Sequence, residues 1–335
     1  MPILGVIASA FRAVAQYLAV GFFTSPYVSV YDWNNGFGNK YTNPGTLPPA
    51  EVTGVTFTPS GNAIAVSHSG SPYVTAYPWS SAGFGTKYSN PSTLPSGNGE
   101  GIIFNPAGNV IAIATNTSPY IDTYAWSSGF GSRYSNPATL PTGVGNDVAF
   151  TPSGDAIAIA HSTSPWVSAY PWSSGFGTKY ADPSTALPNN GRGLTFNPAG
   201  NVIAIAHQGS PYISTYVWSS GFGTKYADPA TLPSINGLGV TFNPAGNIIA
   251  VAHALSPYIT VYDWSSGFGT KYANPATLPT GNAYDVAFNP TGTALAVAHL
   301  NSPYITAYPW SGGFGTKYSD PSTLPTGDGD SVAFI

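Results

Sequence analysis

Along most of the chain, apolar residues alternate with small or polar ones in short runs. Val286-Ala-Phe288, Ile248-Ile-Ala-Val-Ala252 and Tyr258-Ile-Thr-Val-Tyr-Asp-Trp264 are examples. β-Branched and aromatic side chains dominate them, as suits strands on a half-buried pleated surface. The first two kinds of run are separated by Asn-Pro-Ala-Gly or a variant such as Thr-Pro-Ser-Gly. Proline presets φ there and glycine accepts a positive φ, which predicts a hairpin turn. Ser-Pro-Tyr makes a second break and Ser-Ser-Gly-Phe-Gly a third, followed by a weaker fourth strand over Thr270–Ala273. The unit predicted by this pattern is four short antiparallel strands.

The unit repeats. Its Ser-Pro element recurs at Ser25, Ser71, Ser118, Ser164, Ser210, Ser256 and Ser302, with successive spacings of 46, 47, 46, 46, 46 and 46 residues. Seven copies at such a period mark a closed array or a solenoid. A four-stranded unit of this length fits a propeller blade, and ring closure removes the exposed sheet edges that a linear stack would keep. Asp330–Phe334 reads as a first strand with nothing after it, and Gln16–Val20 as a second strand with no first strand before it. The expected fold is therefore all-β: a seven-bladed β-propeller of four-stranded blades over residues 16–335, closed by pairing of N- and C-terminal strands.

Residues 1–15 fit the repeat poorly. Leu4, Ile7, Phe11, Val14 and Leu18 fall at helical spacing and predict a short helix or arm. The alternative is a spare strand, since Ala10-Phe11 aligns with Ala333-Phe334. Arg12 and Gln16 interrupt the apolar run, which rules against a membrane span. Ala8-Ser-Ala10 resembles a signal-peptidase site but lacks a basic region before it. The arm reads as an attachment device.

Composition narrows the function classes. Charged residues make up 7% of the chain and the net charge is −4, with no basic run to hold a nucleic acid. With no cysteine, disulfides, thiol catalysis and cysteine-based zinc sites are excluded. Seven of the nine basic residues share one repeat position (Lys40, Lys87, Arg133, Lys179, Lys225, Lys271, Lys317), where they read as a charged guard on an outer strand. Seven of the eight tryptophans and 20 of the 22 tyrosines also keep a fixed phase, which points to packing between blades.

Phe57-Thr-Pro-Ser-Gly-Asn-Ala-Ile-Ala-Val-Ser-His-Ser-Gly-Ser-Pro-Tyr-Val-Thr-Ala-Tyr77 resembles the repeat of WD-type and YVTN-type seven-bladed propellers. Those families run Phe-Ser-Pro-Asp-Gly, then a strand of small residues, then a strand ending in Trp-Asp. The resemblance covers about residues 16–335 and implies the fold; propellers host many unrelated functions. The Gly-His dipeptide is missing, and Asp32-Trp33 and Asp263-Trp264 reverse the family order, so the WD hydrogen-bond tetrad is not carried over.

If that topology holds, the Ser-Pro-Tyr loops and the loops after Leu-Pro share one face. His68, His161, His207, His253 and His299 sit at one repeat position beside the first of these, and they read mainly as structural imidazoles. Glu51, Glu100, Asp147, Asp285, Asp328 and Asp330 lie in or just after the second, where Arg192 and Tyr284 also break the symmetry. Together these residues form the candidate binding face, since divergent loops on a rigid scaffold are how such folds gain partners. No catalytic or phosphate-binding motif occurs, and no metal site or cofactor is expected. The reading is a non-enzymatic structural or binding propeller of a virion, phage or cell surface, meeting protein through its arm and loop face. A glycan-binding lectin is one alternative. A lactonase-like hydrolase is another, and it requires an asymmetric acid cluster with an ordered metal in the channel.

Overall fold

The structure, a computed structural model, describes residues 16–335. The expected N-terminal helix or arm over residues 1–15 lies outside them. Seven antiparallel sheets of four or three strands stand around one axis, and six of them run from the inner strand outward in chain order. The inner strands are Val52–Phe57, Gly99–Phe104, Gly145–Phe150, Gly191–Phe196, Gly237–Phe242, Ala283–Phe288 and Gly329–Phe334, and they define blades 1 to 7. Each meets the next, and the seventh meets the first, so they wall a central channel. Blade 7 is built from both ends of the described chain: Gly329–Phe334 pairs with Gln16–Phe22 in the register Val20↔Val332, and Tyr17 and Ile335 exchange backbone hydrogen bonds. The seven-bladed all-β ring matches the expectation from the repeat.

The outer strand begins earlier than the sequence indicates. It opens at Phe268, inside Gly-Phe-Gly, because Phe268 pairs with Trp264 across the turn. It reaches four residues only in the blades carrying Asp32, Ala125, Val217 or Asp263 just before the tryptophan. Where that residue is Pro78, Pro171 or Pro309, the strand shrinks to Gly83–Phe84 or to a single bridge. The bonds on either side explain this. Trp218 N–H goes back to Asn201 on the second-strand side, whereas Thr215 C=O accepts Tyr226 N–H on the outer side. The residue between them therefore aims its N–H outward, and proline has none to give.

The core lies between blades. The fully buried second strands alternate small and large residues, so Val202, Ala204 and Ala206 of blade 4 face Ile249, Val251, Tyr262 and Trp264 of blade 5. Trp79 takes edge contacts from four rings, and the other six third-strand tryptophans take them from three. Around Trp218 these are Tyr180 of the preceding blade, Phe196 and Phe222, with centroids 5.5, 5.0 and 5.3 Å away. Such pairs contribute about 0.5–1.5 kcal/mol each beyond area burial. The third-strand tyrosines reach back as well: Tyr216 Oη donates to Thr185 O at 2.8 Å, in the linker from the preceding blade.

The five histidines belong to this framework and present nothing to a partner. His68, His161, His207, His253 and His299 are 0% exposed. Each Nε2 meets a hydroxyl on the third strand of its own blade, at 2.9 Å for His68–Thr75 and 3.0 Å for His161–Ser168. Burial pushes the imidazole pKa down, to about 4 for His68. They sit one layer behind the channel wall as neutral, structural rings.

Candidate functional site

Every inner strand carries a β-bulge near its start. In blade 4, Gly191 pairs with His207 and Gly193 with Ala206, which leaves Arg192 out of the ladder. The same slip skips Thr53, Asn146, Leu238, Tyr284 and Asp330, and in blade 2 it takes in Glu100 and Gly101. A bulged residue is freed from pairing and its side chain is re-aimed. Here all seven turn into the channel, where they line a cavity of about 130 Å³. In ring order they are Thr53, Glu100, Asn146, Arg192, Leu238, Tyr284 and Asp330. No two are alike, although the copies around them are nearly identical.

In three of the seven strands the next residue fastens the ring. Asp147 accepts Val148 N–H at 2.8 Å and, from blade 4, Leu194 N–H at 2.9 Å. Asp285 likewise takes Val286 N–H at 2.8 Å and Val332 N–H of blade 7 at 2.9 Å. Ser331 Oγ accepts Val55 N–H at 3.1 Å, closing blade 7 on blade 1. Elsewhere the position is glycine, and the approach demands it: a Cβ on Gly101 would lie 2.6 Å from Asp147 Oδ1. Ile102 and Val240 find only Gly54, Gly101, Gly193 and Gly239 at the places where these acceptors stand, so their N–H groups have no side-chain acceptor among the described residues.

The electrostatics are those of carboxyls crowded round one cation. Desolvation raises Asp330 to about 8, against the pull of Arg192 and with a further push from Glu100, Asp285 and Glu51. Desolvation likewise raises Glu100 to about 7, with Arg192 opposing and Glu51 assisting. Asp147 rises to about 7 and Asp285 to about 6, also by desolvation, in spite of the backbone N–H groups they accept. Arg192 stays open: its one hydrogen bond is Nη1 to Asn146 Oδ1 at 3.5 Å, and none of the ion pairs among the described residues includes it. Most of its five donors are free to meet a ligand. Among the described residues, no three acids or histidines come together as a metal-ligand set.

Of the residues expected on the binding face, the structure brings Glu100, Asp147, Arg192, Tyr284, Asp285 and Asp330 into one cavity. Glu51 stands one residue before the first inner strand, close enough to raise the pKa of both Glu100 and Asp330. Asp328 holds the same place before blade 7 and is engaged by Asn301 N–H at 3.1 Å. The histidines are apart from all of these. Thr53, Asn146, Leu238 and Ser331 are the members that charge and aromatic counting passed over. The available signal was variability at a fixed phase, read without regard to residue type.

No family model matches the chain, and no curated protein matches its sequence. The membership in a WD or YVTN family that the repeat implies thus has no match, while the seven-bladed propeller stands. Among solved structures, a provisionally named 6-phosphogluconolactonase from Bacteroides fragilis superposes with a TM-score of 0.75 at 14% identity, covering 97% of this chain and 99% of that one. One of the same name from Bacteroides uniformis gives a TM-score of 0.73 at 13% identity over 96% and 99%. The periplasmic gluconolactonase of Pseudomonas aeruginosa gives 0.71 at 15% over 96% and 99%. At these identities the likeness establishes the fold alone. The expectation of a non-enzymatic structural or binding module in a virion or cell surface is nevertheless overturned: the similar propellers carry lactonase names, and the channel holds an asymmetric acid cluster, although the metal-ligand set that the hydrolase alternative also called for is not found among the described residues.

Proposed function

We propose that the protein is a lactone hydrolase whose active site is the ring of bulged residues in the channel. One observation carries this: two adjacent repeat positions at the bulge gather one open guanidinium and four carboxyls with raised pKa values in one cavity. Ester-type hydrolysis needs a base for water, a donor for the oxyanion and an acid for the leaving oxygen. Carboxyls whose environments set their pKa values apart can divide acid and base roles near neutral pH. An ionised Glu100 takes a proton from water as its oxygen adds to the lactone carbonyl carbon. Arg192 holds the oxyanion that forms. The protonated Asp330 then delivers its proton to the ring oxygen as the carbon–oxygen bond breaks, leaving an open-chain hydroxy acid. Leu238 and Tyr284 supply the less polar wall.

The test is proton release from glucono-δ-lactone at neutral pH, with the spontaneous rate subtracted. Arg192→Ala should lower kcat by about 10²-fold, the usual cost of losing an oxyanion donor, in protein shown by circular dichroism to be folded at the assay temperature. A wild-type rate equal to the spontaneous one, or full activity in the variant, would sink the reading.

A further inference from the structure

The lactonase reading leaves open whether the substrate carries a phosphate. On that reading, we infer that the channel selects an uncharged, hydroxylated lactone and rejects the phosphorylated form.

Among the described residues, Arg192 is the one basic side chain that lines the cavity. Glu100 and Asp330 sit on the same ring, Asp147 and Asp285 lie directly behind them, and Glu51 acts on both ring acids from the mouth. The other basic residues of the described chain offer no help. Lys179, Lys225 and Lys317 pair with Asp182, Asp228 and Asp320, Lys40, Lys87 and Lys271 bond Asn43, Asn90 and Asn274, and Arg133 is held by Asp122. All of these lie at the outer edges of their blades, beyond the third strand and away from the channel. A phosphate monoester brings about −1.5 to −2 charges and three strong acceptor oxygens, and sites that hold one gather several cationic or backbone donors on it. The two spare backbone donors do not build such a cradle, because Ile102 belongs to blade 2 and Val240 to blade 5, on opposite sides of the ring. An uncharged polyol-like ring meets the opposite situation. Its hydroxyls donate to the ionised carboxylates and accept from the protonated ones, Thr53 and Asn146 add neutral partners, and Arg192 remains for the carbonyl. A cavity of about 130 Å³ admits one such ring and no long chain, being small beside the several hundred Å³ of sites for larger ligands.

The experiment compares kcat/KM of the full chain for glucono-δ-lactone and for its 6-phosphate ester, alongside calorimetric titration with inorganic phosphate. Juxtaposed like charges cost several kcal/mol, so the neutral lactone should be favoured at least about tenfold, and phosphate should show no binding below the millimolar range. Leu238→Lys, which places a second cation on the ring, should shift the ratio toward the phosphorylated lactone. Equal or greater efficiency on the phosphate ester overturns this inference and leaves the lactonase reading in place. Hydrolysis of neither compound removes the lactonase reading. In that case submillimolar phosphate binding that disappears in Arg192→Ala overturns the inference, and its absence upholds the exclusion of phosphate.

Discussion

Thr115 stands in blade 2 where five other blades have histidine, and two further exchanges accompany it. Asp122 replaces the third-strand Ser or Thr, and Arg133 replaces the outer-strand lysine. Asp122 is 0% exposed in its side chain, bonds Arg133 Nε at 2.7 Å and takes both the N–H and the hydroxyl of Ser96 at 2.8 Å. The imidazole–hydroxyl pair of the other blades has become a carboxylate–guanidinium pair. Breaking a buried pair from one side leaves a bare charge, which costs about 3–5 kcal/mol. Arg133→Ala should lose that much stability in denaturant titration, whereas Thr115→His with Asp122→Thr and Arg133→Lys should recover most of it. A loss below about 1 kcal/mol, the worth of an exposed pair, would refute the coupling. The three residues were visible in the sequence only as unrelated departures from the repeat. Their linkage needed the cross-strand register, which places Asp122 opposite Ile113 in the ladder and its carboxylate beside Arg133.

Strand content follows the sequence closely, and the failures have a local cause. Proline before the tryptophan in Pro78, Pro171 and Pro309 was readable from the start, but its effect depends on which way the missing N–H would point. Only the alternation of hydrogen bonds along the third strand supplies that direction. Pro171→Val should restore a donor and extend the outer strand of blade 3 toward the four residues seen at Phe222–Lys225. One added hydrogen bond is worth about 1 kcal/mol, so amide exchange over residues 176–179 should slow by several-fold in hydrogen–deuterium exchange. Unchanged exchange there would mean that something other than the donor limits the strand. The bulge is the counterpart at the channel. Seven differing residues could be counted in the sequence, but alternation alone assigns them no special aim, and the slipped register is what turns them inward.

For the molecule as a whole, two sets of buried groups act on stability in opposite directions. The channel carboxyls have folded pKa values raised to between about 6 and about 8, so the stability they confer is complete below their ordinary values and drains as pH rises through the folded ones. The histidines are lowered from 6.5 to about 4 in four blades, so their contribution is complete above 6.5 and is lost as pH falls toward 4. Between 6.5 and 8 only the carboxyls titrate, and stability should fall with rising pH. Below 6.5 the histidines oppose them. The thermal midpoint should therefore peak near pH 6.5, and Asp330→Asn should flatten the alkaline limb. A midpoint that climbs steadily from pH 6.5 to 8 would contradict the burial of these acids.

The bulged ring has one more consequence. Seven unlike groups on a circle have no mirror plane, so the order Thr, Glu, Asn, Arg, Leu, Tyr, Asp gives the channel a handedness that belongs to no single residue. Reversing that order would keep every side chain, yet present a different arrangement to a ligand, since the L-residue scaffold that carries it is unchanged. Stereochemical preference in this protein is thus written in the succession of its copies around the axis.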